Sequence, residues 1–414
     1  MNKWTQVLLG VGLISIPAVA SADEKMNVVQ TALSSTTLSG YIDTTMDWSF
    51  GTGNANLPGR VYDGPDTQDG FNLNVVSLTL NKPLDETEWA AGYNVQLLFG
   101  PGASKRGTGS FIPSSVPTAN TPSGGDVAFN EAVILLRVPV GNGLDFKVGQ
   151  FGTYNGYEAY DTYKDPNWSR SYGFYIESSA HTGVSTSYKF NESISVQAGI
   201  GNMAGFNNQV NSKYNGAESK KAYLAMVTLT APESFGFLKG ATLSAGYTGG
   251  VNGGGANTPN SNGWMQDNYY VGASIPTPLT GLSVGLAFDY TTGINFADSY
   301  AEALAAYLSY QATEKLKVTT RADWANGSNG TAGVSNGVFG YQAATAGHNE
   351  LFSLTTTADY SLWANTITRL ELRWDTSLTG DKPFGGTTAA TPGVPLSGGM
   401  KNYVSINFNV IYMF

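Results

Sequence analysis

The sequence contains no cysteine and few charged residues, and these two absences exclude several protein classes. Without cysteine, the 414-residue chain has no disulfide framework, no thiol nucleophile and no cysteine-ligated zinc. Asp, Glu, Lys and Arg make up 13% of the chain, about half of the roughly 25% that is usual in soluble domains. The composition therefore argues against a helical bundle, a coiled coil and an ordinary cytosolic α/β enzyme.

Basic residues and long apolar runs are scarce as well. The chain has 22 Lys and Arg against 31 Asp and Glu, a formal net charge of −9, so a nucleic-acid partner is not expected. Beyond the N-terminus no stretch approaches the roughly 18 consecutive apolar residues of a membrane helix. A membrane protein of this composition therefore spans only as a closed β-barrel. Glycine, in contrast, is abundant, with 51 residues.

The N-terminal residues match a secretory signal peptide. Lys3 provides the positive start, Val7–Ile16 the apolar core, and Ala20–Ala22 a small-residue cleavage site. A membrane anchor is the competing interpretation, but it needs about 20 apolar residues, and Pro17 interrupts this core. We therefore expect three regions: a cleaved signal peptide at 1–22, a periplasmic N-terminal segment at 23–35, and a single barrel domain at 36–414.

Alternation of apolar and polar residues dominates the rest of the chain. In Thr36–Phe50 the apolar residues occupy even positions, whereas Asp43 and Asp47 occupy odd ones. A period of two over about ten residues predicts a β-strand with one apolar face. Sixteen such strands are predicted, near 36–50, 71–82, 88–100, 127–138, 143–151, 181–190, 193–202, 219–230, 240–249, 266–276, 281–291, 300–310, 315–324, 350–361, 364–375 and 400–414.

The connections between these strands alternate in length, which favours a barrel over a soluble sandwich. Short connections include 83–87, 139–142, 191–192, 277–280 and 311–314. The long ones are 51–70, 101–126, 152–180, 203–218, 250–265, 325–349 and 376–399. Tight turns at one end and long loops at the other are typical of outer-membrane barrels. We predict an all-β, antiparallel, up-and-down transmembrane β-barrel of sixteen strands, with short periplasmic turns and long extracellular loops.

Two segments depart from simple alternation. The pattern changes phase at Val75–Val76, which predicts a β-bulge. Asp298–Leu308 contains Ser299 and Glu302 in a helix-like capping box. We assign this segment to a strand, because its loss would break the even strand count and the alternation of loop lengths.

The C-terminal residues Tyr403–Phe414 form one apolar register that ends on a terminal Phe. This segment resembles the terminal strand by which outer-membrane barrels are recognised by the barrel-assembly machinery. The resemblance assigns the assembly signal to Phe408, Val410, Tyr412 and Phe414.

Four other segments resemble the OmpL-like β-barrel porin family. They are LSGYIDTTMDW at Leu38–Trp48, FNLNVVSLTLNKPLDE at Phe71–Glu86, VPVGNGLDFKVGQF at Val138–Phe151 and NWSRSYGFYIESSAHTGV at Asn167–Val184. The resemblance covers most of the chain and is sharpest over Leu38–Val184. It implies a porin of the bacterial outer membrane and says little about the solute.

Charged residues of both signs lie on the polar registers of the predicted strands, where they would line a pore. One interpretation is a transverse field that favours small hydrophilic solutes, with the net charge of −9 leaning weakly toward cations. The other is a ladder of cross-strand pairs that stabilises the wall. The candidates are Asp43, Asp47, Arg137, Asp145, Lys147, Lys189, Arg321, Asp323, Arg369, Glu371, Arg373 and Asp375.

The Gly152–Ala180 loop is rich in tyrosine and charge and is the third long loop, the one that folds into the lumen in general porins. We expect it to narrow the pore; the alternative is an extracellular cap packed by its own aromatic residues. The candidate constriction residues are Tyr157, Glu158, Asp161, Lys164, Asp165 and Arg170.

Signals for enzymatic chemistry are few. The chain has only two histidines, His181 and His348. A serine beside His181 could be imagined as a catalytic pair, but a histidine at a loop edge that hydrogen-bonds to backbone is far commoner. No EF-hand pattern is present. We predict no catalytic residue, no metal site and no cofactor.

These observations predict a porin that lets small hydrophilic solutes and ions diffuse through a water-filled channel in the bacterial outer membrane. The first alternative is a plugged barrel that acts as an adhesin or receptor through its long loops. The second is a soluble, secreted, glycan-binding β-sheet protein. The expected partners are outer-membrane lipid, the barrel-assembly machinery, small hydrophilic solutes and two further copies in a homotrimer.

Overall fold

The computed structural model describes residues 29–30, 35–51, 69–85, 87–106, 127–205, 220–252, 264–294, 298–328, 348–380, 382–386 and 399–414. The predicted signal peptide at 1–22 and most of the segment at 23–35 lie outside these residues. So do parts of every predicted long loop except 152–180.

The described residues form sixteen antiparallel strands. Their bounds are β1 Thr37–Phe50, β2 Gly70–Lys82, β3 Ala91–Phe99, β4 Val127–Val138, β5 Leu144–Gly152, β6 Ala180–Lys189, β7 Ile194–Gly201, β8 Ala222–Thr230, β9 Thr242–Asn252, β10 Trp264–Pro276, β11 Leu282–Thr292, β12 Tyr300–Gln311, β13 Leu316–Ser328, β14 His348–Tyr360, β15 Thr366–Ser377 and β16 Asn402–Met413. Each strand pairs with the next, and β16 pairs with β1, from Met413 opposite Tyr41 to Val404 opposite Phe50. The sheet is thus a closed barrel, as predicted.

Smaller elements decorate the barrel. Val29–Gln30 pairs with the start of β1, and Phe384–Gly385 pairs with Gly399–Met400. In the described part of the chain the helices are α1 Pro101–Arg106 and α2 Tyr172–Ile176, with 3-10 segments at Thr162–Lys164 and Glu233–Leu238. Among the described residues, no helix is long and apolar enough to cross a membrane. We call the end of the barrel with the turns at 139–143, 190–193, 277–281, 312–315 and 361–365 the short-turn end, and the other the long-loop end.

The ambiguous segment 298–308 is a strand. Tyr300–Gln311 pairs with β11 on one side and β13 on the other. Ala301, Ala303 and Ala305 are buried, whereas Leu304 and Leu308 are exposed on the outer face. Pairing along both edges satisfies the backbone of this segment, so the capping-box residues start no helix.

Two β-bulges interrupt the pairing of neighbouring strands, and each places an asparagine side chain inside the barrel. In β2 the register shifts so that Asp43 pairs with Val75 and Thr44 with Leu73, which leaves Asn74 as the extra residue. This is the bulge predicted from the phase change. A second shift in β4 leaves Asn130 extra. Asn74 Nδ2 donates to Asp43 Oδ1 at 2.8 Å, and Asn130 Nδ2 donates to Gln96 Oε1 at 2.8 Å.

The two faces of the barrel differ as the alternation predicts. In β16, Phe408 and Tyr412 are exposed on the outside, whereas Asn407 and Asn409 are buried inside. Phe414 follows β16, where its backbone N–H donates to the Gly40 carbonyl at 3.0 Å and its carbonyl accepts the Gly40 N–H at 2.8 Å. Phe414 therefore extends the seam between the last strand and the first.

Candidate functional site

Residues 153–179, which we call the lumen loop, connect β5 to β6 and run across the inside of the barrel. Glu158 of the loop pairs with Arg321 on β13, with Oε1 2.8 Å from Nη1. The backbone N–H of Trp168 donates to Glu371 on β15 at 2.7 Å. In a ring of sixteen strands, β13 lies eight positions from β5. The loop therefore reaches the wall opposite to its own attachment.

Three wall arginines, which we call the arginine clamp, hold the loop by its main chain. Their guanidinium groups donate to four loop carbonyls. The bonds are Arg321 to Ser169 O (2.5 Å) and Arg170 O (3.0 Å), Arg369 to Thr162 O (2.8 Å) and Asp165 O (2.9 Å), and Arg373 to Arg170 O (2.6 Å). Arg369 and Arg373 occupy alternate inward positions of β15, so the strand period of two aims both at the loop.

Each clamp arginine also has a carboxylate partner on the wall. Arg321 pairs with Asp323 at 2.8 Å, Arg369 with Asp359 at 2.9 Å and Arg373 with Asp375 at 2.9 Å. Glu371, between the two β15 arginines, accepts the backbone N–H groups of Trp168 and Ser169 at 2.7 and 3.0 Å. All of these charges except the partly exposed Asp359 are buried, and each is matched by an opposite charge or a backbone dipole.

The tip of the loop docks on the other side of the barrel seam, against β1 and β3. Asp161 Oδ1 accepts hydrogen bonds from Tyr41 Oη at 2.9 Å and Gln96 Nε2 at 2.8 Å. Its other oxygen pairs with Lys164 Nζ at 2.8 Å. Burial alone would raise the pKa of Asp161, but Lys164, Tyr41 and Gln96 together hold it below its ordinary value. Asp161 is therefore an ionised anchor.

Inside the loop, Arg170 organises the chain into a compact unit. Its guanidinium donates to the carbonyls of Ala159, Tyr160 and Trp168 at 2.8 to 3.0 Å and pairs with Asp165 at 3.0 Å. Aromatic packing adds to this, because Tyr157 stacks on Tyr307 of β12 with ring centroids 4.2 Å apart. Only glycine fits below this ring: a Cβ at Gly285 would lie 1.8 Å from Tyr157 Oη.

The last part of the loop, around α2, packs against the wall formed by β11–β13. Tyr172 Oη donates to Asp375 at 2.7 Å, and Thr291 Oγ1 donates to the Ile176 carbonyl at 2.8 Å. Glu177 then places its carboxyl group against that of Asp289 on β11. Both groups are buried. The loop is thus held along its whole length.

The predicted pore-lining residues all point inward, but their surroundings differ. Arg137 and Asp145 form a two-bond pair at 2.6 and 2.7 Å near the short-turn end, and Lys147 pairs with Glu131 at 2.9 Å. Lys189 ends β6 at the short-turn end. Asp43 and Asp47 are buried in β1. The remaining candidates are buried in the network below the lumen loop: Arg321, Asp323, Arg369, Glu371, Arg373 and Asp375.

The predicted constriction residues come together within the loop, but they have different environments. Glu158, Asp161, Asp165 and Arg170 are buried in ion pairs, whereas Tyr157 and Lys164 retain partial exposure. Sequence reasoning missed several wall partners: Tyr41, Gln96, Glu131, Asn130 and Tyr307. Their inward register was readable from the alternation. The contacts of Tyr41, Gln96 and Tyr307 with the loop, across more than fifty residues of sequence, were not.

His181 makes two close polar contacts where the lumen loop enters β6. Its Nδ1 lies 3.0 Å from the Met203 carbonyl and its Nε2 lies 3.1 Å from Ser178 Oγ. Both side chains are buried. A search of the described part of the chain finds no group of three or more His, Asp or Glu residues that could hold a metal ion.

A closed sixteen-stranded barrel with apolar outer and polar inner registers, and with its third long loop inside, defines the porin class. Residues 35–410 match the family described as "Putative beta-barrel porin-2, OmpL-like". The chain belongs to this family and is a porin of the bacterial outer membrane. No curated protein sequence matches it.

Solved porin structures share the fold at low sequence identity. The outer membrane channel DcaP of Acinetobacter baumannii superposes with a TM-score of 0.59 at 13% identity, over 93% of this chain and 99% of that one. OmpT of Vibrio cholerae in its trimer form gives 0.55 at 10% identity, over 92% and 99%. Salmonella typhi OmpF in complex with daunomycin gives 0.55 at 12% identity, over 92% and 97%.

Proposed function

We propose that this porin lets small hydrophilic solutes and ions diffuse passively through its lumen, and that the lumen loop sets the width of the passage. The observation that carries the proposal is the crossing of the lumen by residues 153–179, anchored to β13 and β15 on the far wall. A loop held at both sides of a barrel leaves only the space beside it for solutes. No energy source and no catalytic group is needed for such diffusion.

The passage follows the wall formed by β3–β6, the side that the arginine clamp leaves free. On this side Lys147 and Glu131 keep 42% and 20% of their side-chain surface in contact with water. On the clamp side, Arg321 and Glu371 keep none. Water exposure at the middle of β4 and β5 therefore supports an aqueous route there.

Deletion of Tyr154–Ser171 tests the proposal. Because the deletion removes the tip of the loop and all its contacts with the clamp, we expect single-channel conductance in a planar bilayer to rise several-fold. Heat-modifiable gel mobility reports whether the deleted barrel still closes. An unchanged conductance in a closed barrel would contradict a role of the loop in setting the width.

A subtler variant complements the deletion. Arg369→Gln combined with Arg373→Gln removes two clamp residues and leaves Asp359 and Asp375 without their guanidinium partners. Breaking a buried charge pair in this way typically costs about 3–5 kcal/mol. We expect the loop to loosen and the conductance to rise and fluctuate. Lys239→Gln, which breaks an exposed ion pair with Glu233 in a turn, is the control.

The remaining expectations are also proposals. We infer a signal peptide at 1–22, recognition of Phe408, Val410, Tyr412 and Phe414 by the barrel-assembly machinery, and contact of the apolar outer face with lipid. A homotrimer is supported by the trimer form of the structurally similar OmpT. A wild-type barrel that gives no conductance steps would instead favour the plugged adhesin or receptor.

A further inference from the structure

Charge in the lumen is unevenly exposed to water. The charged wall residues that the lumen loop covers are buried from water: Glu371 and Asp375 have no exposed surface, and Arg373 has 1%. Away from the loop anchor, the exposed fraction rises to 42% at Lys147. A permeating ion therefore meets only a small part of the charge that the barrel contains.

In two of the ion pairs that border the open side, the lysine is the more exposed member. On the wall, Lys147 is 42% exposed and its partner Glu131 is 20% exposed. On the loop, Lys164 is 29% exposed and its partner Asp161 is 5% exposed. In each pair the lysine side chain thus keeps a larger exposed fraction than the carboxylate that it binds.

Amide side chains donate hydrogen bonds to the carboxylates of both pairs. Asn94 Nδ2 donates to Glu131 at 2.7 Å, and Gln96 Nε2 donates to Asp161 at 2.8 Å. Gln96 on β3 is also the direct cross-strand neighbour of Glu131 on β4, so their Cβ atoms lie about 5 Å apart. The wall pair and the loop pair therefore flank the same strip of the lumen.

The other inward charges near the short-turn end do not reverse this balance. The buried Asp145 pairs with Arg137, and the partly exposed Asp359 pairs with Arg369. Lys189 and Lys317 lie on inward positions of β6 and β13 and are also partly exposed. Among the inward ion pairs described above, Lys147 and Lys164 thus keep a larger exposed fraction than any of the carboxylate partners.

Several of the 31 acidic residues of the chain are buried away from this strip. Glu158 and Glu371 bind arginine or backbone N–H groups below the loop. Within the loop, burial raises the pKa of Asp165 to about 7, and burial together with Asp289 raises the pKa of Glu177 well above its ordinary value. The formal charge of the chain therefore overstates the negative charge that a solute meets.

We propose that Lys147 and Lys164 form the charge-selecting pair of the channel and that it favours small anions, such as carboxylates and phosphates, over cations. This inference rests on the channel function proposed above. It runs against the weak cation preference that the net charge predicts.

Reversal potentials in a KCl gradient across a planar bilayer test the inference. We expect chloride to permeate better than potassium in the wild type. Lys147→Gln and Lys164→Gln should each lower the chloride-to-potassium permeability ratio by about twofold to fourfold, the effect of one unit charge near the path of an ion in a high-dielectric channel. Lys147→Arg should keep the ratio. Lys239→Gln, which removes an exposed lysine in a short turn, should not change it.

Chemical modification provides a second test that does not depend on the folding of a charge variant. Because the chain has no cysteine, Lys147→Cys introduces a single thiol that can be modified after the barrel has folded. A cationic methanethiosulfonate reagent should restore the anion preference, and an anionic one should lower the permeability ratio further.

The outcomes separate the two proposals. Channels that favour potassium, or a ratio that neither lysine variant nor either reagent changes, would overturn the charge-selecting pair and leave the porin function intact. A correctly closed wild-type barrel without conductance steps would overturn the porin function and this inference with it.

Discussion

Glu177 carries the most unusual charge environment in the lumen loop. It is the residue after α2, and its carboxyl group lies against the carboxyl group of Asp289 on β11. Gly156 borders the same group, since a Cβ at that position would lie 2.4 Å from Glu177 Oε2. Two buried carboxylates in contact repel each other unless a proton is shared between them. Burial, with Asp289 and Glu158 adding to it, accordingly raises the pKa of Glu177 well above its ordinary value.

This raised pKa predicts a pH-dependent loop. A carboxyl group with a higher pKa in the docked loop than in the free loop favours docking fully below its ordinary pKa, and this contribution is lost as the pH rises through the docked value. We therefore expect conductance to increase as the pH rises from about 5 to about 9. Glu177→Gln, which cannot ionise, should flatten this dependence. A wild-type conductance that is constant over this range would contradict the prediction.

At the scale of the element, the lumen loop packs against wall residues that leave space for it and bind it. Inward glycines provide room, and the bulge residue Asn130 donates to Gln96, which in turn holds the loop tip. Asn155 lies directly over Gly246 of β9: a Cβ on the glycine would be 3.4 Å from Asn155 Cγ. This spacing brings the two Cβ positions near the roughly 3.5–4.5 Å that a disulfide requires.

An engineered disulfide at this contact would test whether the loop must move for solutes to pass. In the double variant Asn155→Cys and Gly246→Cys, we expect oxidation to leave the conductance at neutral pH unchanged, because solutes pass beside the docked loop. Oxidation should, however, abolish the increase at high pH, and a reducing agent should restore it. The two single variants are the controls. Complete closure on oxidation would show that conduction requires the loop to leave its dock.

The strands could be predicted from the sequence, whereas the site could be predicted only in part. Alternation depends on local residue order, so it located all sixteen strands and even the bulge beside Val75. The same alternation placed Arg369 and Glu371 inside the barrel. It could not tell whether an inward residue meets water or protein, because that depends on which loop enters the lumen and where its chain lies. Lys147 and Arg373 occupy equivalent inward positions in the sequence pattern, yet Lys147 is partly exposed to water and Arg373 is buried.

At the scale of the whole molecule, closure of the barrel depends on the seam between β16 and β1. Phe414 adds the last two backbone hydrogen bonds of this seam, both to Gly40. Bonds of this kind contribute about 0.5–1.5 kcal/mol each to stability, which is small beside the contribution of ten paired positions along the two strands. The importance of Phe414 should therefore lie in assembly and much less in stability.

Deletion of Phe414 separates these roles. We expect the truncated protein to refold in detergent to a heat-modifiable form with only a small loss of stability. In cells, its level in the outer membrane should fall strongly, because the terminal residue of the assembly signal is missing. Phe414→Tyr, which keeps a terminal aromatic residue, should assemble normally. Equal losses in detergent and in cells would assign Phe414 a purely structural role.

The lumen loop also spans this seam from the inside. Its tip binds Tyr41 on β1, and a few residues later its main chain binds Glu371 on β15, so its anchors lie on both sides of the closing strand β16. The loop thus links β1 and β15 across the last strand from inside the barrel. The docked loop should therefore add to the stability of the closed seam.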